Sequence, residues 1–207
     1  MTVPLLVLLL LAQGPGELTI SPGLKVDRTR GLVTLDAAVV LREGPLELLL
    51  CPKRGKEHES ILAAEMKPKD FQVALLLAGA TPGRPVQMDP PKPPTGQRVK
   101  IWLEIADEGG TRLVDAREWI LDVAAKRAMR VDFVFTGSRI VRVPESDSPL
   151  FLGDNGEVIC VANFPGSIID VSVRSSDKND QLTFAPFTER IPAKGTPVKV
   201  IVEPLVE

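Results

Sequence analysis

The side chains best suited to chemistry lie in one short segment, from Cys51 to Ser60. It contains one of the two cysteines of the chain and its only histidine, His58. The neighbouring cations Lys53 and Lys56 favour a thiolate, which would lower the pKa of Cys51 and make it a nucleophile. His58 could accept the proton of that thiol, or bind a metal ion through its neutral imidazole. The segment therefore indicates two chemistries, nucleophilic catalysis and metal binding.

A metal site would draw on the same segment. Cys51, His58, Glu57 and Glu59 are the candidate ligands of a divalent metal ion. Because the whole chain has two cysteines and one histidine, we expect neither a zinc centre of four Cys and His ligands nor an iron–sulfur cluster. The spacing of Cys51 and His58 matches no strong nucleophile or zinc pattern. A structural loop whose polar side chains cap backbone groups therefore stays open as the alternative.

The second cysteine, Cys160, lies in the apolar run Val158–Ala162. Such neighbours favour a buried, free thiol that belongs to the core. In an oxidising compartment Cys160 could instead form a disulfide with Cys51, which would stabilise the fold by roughly 4 to 5 kcal/mol in the chain-entropy model. That bond would remove Cys51 as a nucleophile, so the disulfide and the catalytic interpretation exclude each other.

Two later segments place polar residues within apolar runs, at Phe135–Ser138 and Asn163–Asp170. Their glycines allow close approach of the backbone, and their polar side chains offer hydrogen bonds at strand ends. These residues could share a ligand cleft with the Cys51–Ser60 segment, or they could simply satisfy turns beside sheet edges. The candidate ligand-binding residues are Lys56, Glu57, His58, Glu59, Ser60, Ser138, Asn163 and Asp170.

The elements that must position these residues are mostly strands. Short apolar runs bounded by Gly, Pro and Asp predict an α+β chain, with a strand-dominated mixed sheet or sandwich. One buried helix is predicted near 68–79, because a proline opens and a glycine closes a run that is apolar almost all round. A short helix is a second candidate near 116–129. The predicted strands are 24–27, 32–40, 46–50, 99–105, 112–114, 131–135, 151–152, 158–162, 168–173 and 198–202, with residues 28–31 as a hairpin connection.

Length and punctuation predict one domain behind a cleaved leader. Residues 1–14 contain an uncharged apolar run, too short to cross a bilayer and typical of a signal peptide. The remaining 15–207 suit a single domain, with a proline-rich surface loop at 81–96. A net charge of -2 gives no general attraction to nucleic acid or anionic lipid. We therefore expect an exported protein, periplasmic or extracellular, that contacts neither nucleic acid nor membrane after signal removal.

Several segments in succession resemble the YdjY-domain family. They are Cys51-Pro52, Lys56–Leu62, Ala74–Ala80, Phe135–Ser138 and Asn163–Pro165, and their order and separations match over about residues 30–204. The family is largely uncharacterised and many members resemble exported bacterial proteins, so the resemblance implies export and a single domain but no catalytic residues. Some proteins of this name are described as ferredoxin-like with a Cys-rich segment, a pattern from which this chain departs.

Three functional hypotheses follow. The first is an exported soluble domain that binds a small ligand, a metal ion or a partner such as an envelope protein through the 51–60 loop, without catalysis. The second is a thiol- or metal-dependent enzyme, in which Cys51 is nucleophile or ligand and His58 is base or ligand. The third is a structural module of the cell envelope. The sequence favours the first and leaves catalysis open.

Overall fold

The computed structural model describes residues 16–107, 110–142, 148–176, 178 and 181–206, so the predicted signal segment 1–14 lies outside the described residues. The described part is built mostly of strands with a single α-helix. Its elements are β1 (Glu17–Ser21), β2 (Leu24–Asp27), β3 (Leu32–Val39), β4 (Leu48–Pro52), β5 (Ser60–Ala64), α1 (Pro68–Leu77), β6 (Gln97–Asp107), β7 (Gly110–Asp115), β8 (Ile120–Asp122), β9 (Arg127–Ala128), β10 (Phe133–Phe135), β11 (Ile140–Val141), β12 (Leu150–Phe151), β13 (Ile159–Cys160), β14 (Ile169–Val171), β15 (Phe184–Pro186) and β16 (Pro197–Pro204).

Eight of these strands close into a mixed β-barrel. Their order is β3-β16-β6-β10-β14-β13-β4-β5, and β5 pairs back to β3 through Ala38 with Ala63 and Val39 with Leu62. The pairs β13–β14 and β4–β5 are parallel, and the other six are antiparallel. Closure gives each strand a partner on both sides, so this part of the sheet has no free edge.

Two long strands extend beyond the barrel and carry additional pairs. The first half of β3 pairs with β2, which in turn pairs with β1. The second half of β6 pairs with β7. Helix α1 packs against β1, β2 and β3, outside the closed ring of strands. The helix therefore covers the part of the sheet, formed by β1, β2 and β3, that extends beyond the barrel.

Alternating burial places the core inside this frame. In β16 the side chains of Val198, Val200 and Val202 are buried, while Lys199 points away from the core and is exposed. This period of two is what a strand with one buried face requires. All five residues of β5 are buried, as is typical of a strand covered on both faces. The alternation of valine and polar residues in the first part of β16 thus matches its alternation of buried and exposed positions.

The predicted strand-dominated mixed sheet with a helix near 68–79 is confirmed, and the chain is mostly β with one minor α-helix. The finer prediction of a sheet or sandwich needed correction, because eight strands close into a barrel. Strand pairing depends on contacts between residues far apart in sequence, so the runs alone did not identify closure. The predicted strands correspond to strands of the structure, and the hairpin at 28–31 joins β2 to β3. The strands β1, β5, β8, β9, β11 and β15 were not predicted.

The predicted helix near 68–79 is confirmed as α1, but it is buried on one face only. Phe71, Ala74 and Leu75 are buried, whereas Leu76 is 46% exposed. The helix thus packs against the sheet, but a run that is apolar almost all round does not reveal which of its sides faces water. The partly exposed apolar residues of this helix are Val73, Leu76 and Leu77.

The second predicted helix, near 116–129, is wrong. A single 3-10 turn covers Ala116–Trp119, and β8 and β9 then form a hairpin. The turn between them is closed by Asp122, whose carboxylate accepts a hydrogen bond from the backbone of Ala125 at 2.9 Å. Pairing of β8 with β15 outweighs the local helix propensity of this segment.

Residues 81–96 form an irregular proline-rich hairpin, in agreement with the predicted loop. Arg84 bridges to Thr95, and Gln87 bridges to Lys92. Prolines remove the amide donors that a regular strand would need, so only these isolated bridges form. We call residues 81–96 the proline-rich hairpin.

Candidate functional site

Cys51, the predicted nucleophile, lies in β4 and is fully buried. Burial raises the pKa of its thiol to about 11, although hydrogen-bonding contacts with Ser60 and the backbone of Lys56 act in the opposite direction. A thiol with this pKa is protonated at neutral pH, and the protonated form is neither a good nucleophile nor a metal ligand. The cations next to Cys51 in sequence thus do not produce a reactive thiolate.

Cys160 is a buried core residue, as its apolar neighbours indicated. Burial raises the pKa of its thiol well above the ordinary value. Both cysteines are free, and they belong to one small apolar cluster with Leu48 and Ala63. The structure therefore contains both thiols in one apolar cluster of the core and no disulfide between Cys51 and Cys160.

His58 lies on the surface, away from the buried thiol. Its side chain is 77% exposed, and its Nε2 lies 3.5 Å from Oε2 of Glu59. Glu57 instead accepts a hydrogen bond from the backbone N–H of Arg54 at 2.6 Å. Within the described part of the chain no group of three or more His, Cys, Asp or Glu residues is placed to hold a metal ion. The predicted metal ligands Cys51, Glu57, His58 and Glu59 are thus not brought together as a set.

Lys56 is the centre of the polar arrangement that the 51–60 loop does form. Its ammonium Nζ lies 3.4 Å from Glu59 Oε1, 3.8 Å from Glu157 Oε1 and 4.0 Å from Glu47 Oε2. The ring of Phe164 lies under the same ammonium, with its centroid at 4.5 Å. We call Lys56, Glu47, Glu59 and Glu157 the Lys56 cluster. One cation therefore gathers a carboxylate from its own turn, one from the segment before β4 and one from the distant residue Glu157.

The Lys56 cluster contains three acidic side chains and one basic side chain, and two of the acidic ones are buried from solvent. Glu47 and Glu157 are each 8% exposed, so little water screens them. Burial raises the pKa of Glu157, while the charge of Lys56 and a hydrogen bond from the backbone of Gly166 lower it. Three carboxylates therefore lie around one ammonium, so acidic groups outnumber basic ones in the cluster.

Gly166 is required for this arrangement. A Cβ atom at that position would collide with Oε2 of Glu157 and with the backbone oxygen of Leu152. Only glycine lets the carboxylate approach the backbone N–H this closely. The loop 163–167 therefore shapes the Lys56 cluster from one side, through Phe164 and Gly166.

A buried carboxylate, Asp170, holds that loop in place. It accepts hydrogen bonds from Asn163 Nδ2 at 2.9 Å, from Ser167 Oγ at 2.9 Å and from the backbone of Phe164. Burial raises the pKa of Asp170 to about 7, against the effect of these donors. Asn163 in turn accepts a hydrogen bond from the backbone of Ser175 at 2.7 Å. Asn163 and Asp170 thus support the site instead of facing a ligand within it.

Two other predicted residues are structural in the same sense. The hydroxyl of Ser60 donates to the backbone oxygen of Leu62 at 2.8 Å, inside the core. Ser138 is bound through its backbone by the side chain of Gln72 in α1, at 2.7 Å to its nitrogen and 3.1 Å to its oxygen. Among the described contacts, neither Ser60 nor Ser138 is bonded to the Lys56 cluster. Through its contacts with Gln72, Ser138 connects the helix to the barrel.

Sequence reasoning missed Glu47 and Glu157, the two most buried members of the Lys56 cluster. Each is a single acidic residue at the border of an apolar run, Leu46–Leu50 and Val158–Ala162. Charged residues are rarely this buried unless they are paired, so an isolated carboxylate beside a predicted strand is a usable signal. Lys56 was singled out from the sequence, but its contacts with Glu47 and Glu157 depend on the tertiary structure and were not predictable.

Comparison with known proteins supports one assignment. Among the described residues no helix has the length and apolarity needed to cross a membrane. Neither a curated protein nor a solved structure matches the chain. The sequence pattern of the YdjY domain does match, over residues 24–203, which include the Lys56 cluster, the loop 163–167 and the barrel strands except for the last residue of β16. The chain therefore belongs to the YdjY-domain family.

Proposed function

We propose that this chain is a non-catalytic binding module that acts through the Lys56 cluster and His58, and that its ligand presents a positively charged group. The observation that carries the proposal is the gathering of three carboxylates within 4.0 Å of the Lys56 ammonium. A cation of the ligand, such as a lysine or arginine side chain of a partner protein, would form a charge-assisted hydrogen bond with this acidic group.

Access to the cluster supports the same proposal. Glu47 and Glu157 lie deepest, while the side chain of Lys56 is 27% exposed and that of His58 is 77% exposed. Glu59 lies between the buried and the exposed side chains, since its carboxylate is near both Lys56 and His58. Of the three carboxylates, Glu59 is the one that a ligand cation arriving from solvent would therefore reach first.

The enzyme alternative has weaker support. It needs an accessible thiolate near His58, but Cys51 is buried and its pKa is raised to about 11. A bound divalent metal is less favoured than an organic cation, because the ammonium of Lys56 already lies between the carboxylates that would be its ligands.

Titration with a trilysine peptide tests the proposal. We expect trilysine to bind the purified protein in calorimetry and triglutamate not to bind. Glu59→Gln should weaken trilysine binding about three- to tenfold, since it removes one charge-assisted contact. The matched control is Glu189→Gln, an exposed glutamate in a similar 3-10 turn.

Three results would overturn the proposal. Trilysine could fail to bind, or bind Glu59→Gln and Glu189→Gln equally, and then the cluster would be structural. Stoichiometric Ca²⁺ or Zn²⁺ binding that Glu59→Gln abolishes would replace the organic cation by a metal ion.

Export and an envelope protein as partner form part of the same proposal. They are supported by the apolar run within residues 1–14. Cell fractionation of the full chain would detect export as a shorter periplasmic or secreted product. Retention of the full-length chain in the cytoplasm would contradict it.

A further inference from the structure

A second concave surface lies beside the Lys56 cluster and has the opposite charge. The proline-rich hairpin borders a cavity of about 710 Å³, within the range of small-molecule sites. We call it the basic groove. Its lining includes Arg84, Val86, Met88, Lys92, Arg139 and Pro165.

Cations dominate the polar lining of the basic groove. Arg84, Lys92 and Arg139 line it, and Asp89 is the single acidic residue among its described lining. None of these three cations forms an ion pair or a side-chain hydrogen bond with the described part of the chain, in contrast to Lys56. Their charge is therefore available to a ligand.

The rest of the lining is apolar. Val86 is buried at the floor, while Met88 is 57% exposed and lines the groove together with Pro165. An exposed methionine is a flexible apolar contact that adapts to varied ligand shapes. A second cavity of about 500 Å³ shares Val86 and Met88 with the groove, so the apolar wall continues into it.

The hairpin holds the cations on a defined frame. Backbone hydrogen bonds of 2.9 Å in both directions join Arg84 to Thr95, and bonds of 3.1 and 2.9 Å join Gln87 to Lys92. Arg139 comes from the other side, directly after Ser138, which α1 holds through Gln72. A site with preformed walls loses less conformational entropy on binding.

We infer that the basic groove binds a small amphiphilic anion, with its carboxylate, sulfonate or phosphate held by Arg84, Lys92 and Arg139. The apolar part of the ligand packs on Val86, Met88 and Pro165. The concave shape favours a single molecule over a flat bilayer surface. This inference goes beyond the proposed function, since it concerns another surface and a ligand of opposite charge.

The loop 163–167 separates the two sites. Phe164 contacts Lys56 and Gly166 contacts Glu157, whereas Pro165 between them lines the basic groove. Asn163 lines the adjoining cavity. Variants on the hairpin side therefore change the groove without touching the residues that would bind trilysine.

Anilinonaphthalene sulfonate is a suitable probe, because it joins one sulfonate to apolar rings. We expect it to bind the full-length protein with enhanced fluorescence, and dodecanoate but not dodecanol to displace it. Arg139→Gln and Lys92→Gln should each weaken probe binding about three- to tenfold, and added salt should weaken it further. Lys194→Gln, an exposed cation outside the groove, is the matched control.

Other results would overturn the inference. Equal probe affinity of Arg139→Gln, Lys92→Gln and Lys194→Gln would exclude the groove cations, and displacement by dodecanol as well would exclude charge recognition. Displacement by triglutamate but not by dodecanoate would indicate an acidic protein as ligand instead. Thermal unfolding of each variant identifies misfolded protein, which binds the probe non-specifically. Trilysine affinity should be unchanged in Arg139→Gln, so failure of the groove and failure of the Lys56 cluster are distinguishable.

Discussion

At the scale of single residues, Cys51 and His58 differ in solvent exposure. The thiol of Cys51 is buried in β4, whereas the imidazole of His58 is 77% exposed on a turn, although only seven positions separate the two residues in the sequence. The carboxylate of Asp170 shows the same principle. It is fully buried, and this burial moves its pKa upward even though four side-chain or backbone groups, among them the backbone N–H of Val171, donate to it.

The buried thiols should resist labelling in the native protein. We expect Ellman's reagent at pH 8 to label neither Cys51 nor Cys160 until denaturant is added. With a pKa of about 11 only about one Cys51 thiol in a thousand is ionised at that pH, and the reagent also cannot reach it. The thiol count before and after denaturation checks this, with Cys51→Ser identifying each signal. Prompt labelling of native Cys51 would contradict it and revive the enzyme alternative.

Asp170 should make stability fall as the pH rises. Its pKa is about 7 in the folded protein and near the ordinary value of about 3.9 in the unfolded chain, so the folded state binds more protons between those values. The free energy of unfolding should therefore decrease from about pH 4 to pH 7, by at most about 1.4 kcal/mol per pH unit from this group. Urea unfolding at several pH values measures the slope.

The variant Asp170→Asn tests the origin of that slope. It removes the titrating group, so its stability should depend less on pH over the same range, at lower overall stability because buried donors lose their acceptor. Asp154→Asn, at an exposed position, should keep the wild-type slope. If Asp170→Asn and wild type share one slope, the titration belongs to other groups.

At the scale of elements, α1 is attached to the barrel by one face and by one side chain. Its buried face supplies Phe71, Ala74 and Leu75 to the core, and Gln72 binds both backbone groups of Ser138. Such a two-point contact fixes the helix relative to the segment after β10. The arrangement also positions Arg139, the next residue, at the basic groove.

Gln72→Ala should loosen this attachment. It removes two hydrogen bonds and leaves the partly buried backbone of Ser138 without them, so we expect a loss of about 1 to 3 kcal/mol in the free energy of unfolding. Lys69→Ala, at an exposed position of the same helix, should change stability by less than about 0.5 kcal/mol. Urea unfolding of both variants measures the difference. Equal stability of the two would show that the Gln72 contacts contribute nothing net.

At the scale of the whole molecule, closure of the barrel connects the parts. Strand β16 lies between β3 and β6 and pairs with both along most of its length. The first and the middle parts of the chain therefore meet through its last strand. We expect the barrel to unfold as one cooperative unit, because no segment of the ring has a free edge at which to open.

Val200→Ala tests the contribution of β16. Val200 is fully buried, so the substitution leaves a cavity and should cost about 2 to 3 kcal/mol. Ile201→Ala in the same strand, at a partly exposed position, should cost less. Tryptophan fluorescence and far-UV circular dichroism should shift together in urea. Separate transitions, or an equal cost for both variants, would contradict a cooperative barrel that depends on this strand.

Much of the local structure was predictable from the sequence because it depends on near neighbours. Proline and glycine punctuation located α1, alternation located β6 and β16, and a glycine-containing connection located the hairpin between β2 and β3. Concentration of Cys51, Lys56 and His58 in one loop also located the region of the candidate site. Lys56 emerged as its centre, and His58 lies at its rim.

The tertiary structure alone decided which strands pair, which thiols are buried and which carboxylates surround Lys56. Each of these depends on distances between residues far apart in the chain, such as Glu47 and Glu157, and not on local pattern. The physical reason is that a pKa or an ion pair depends on burial and on the nearest charges in space. The sequence by itself determined the elements and the residue types at the site, whereas closure of the barrel determined that Cys51 is buried, which raises its pKa, and that Lys56 is surrounded by acids.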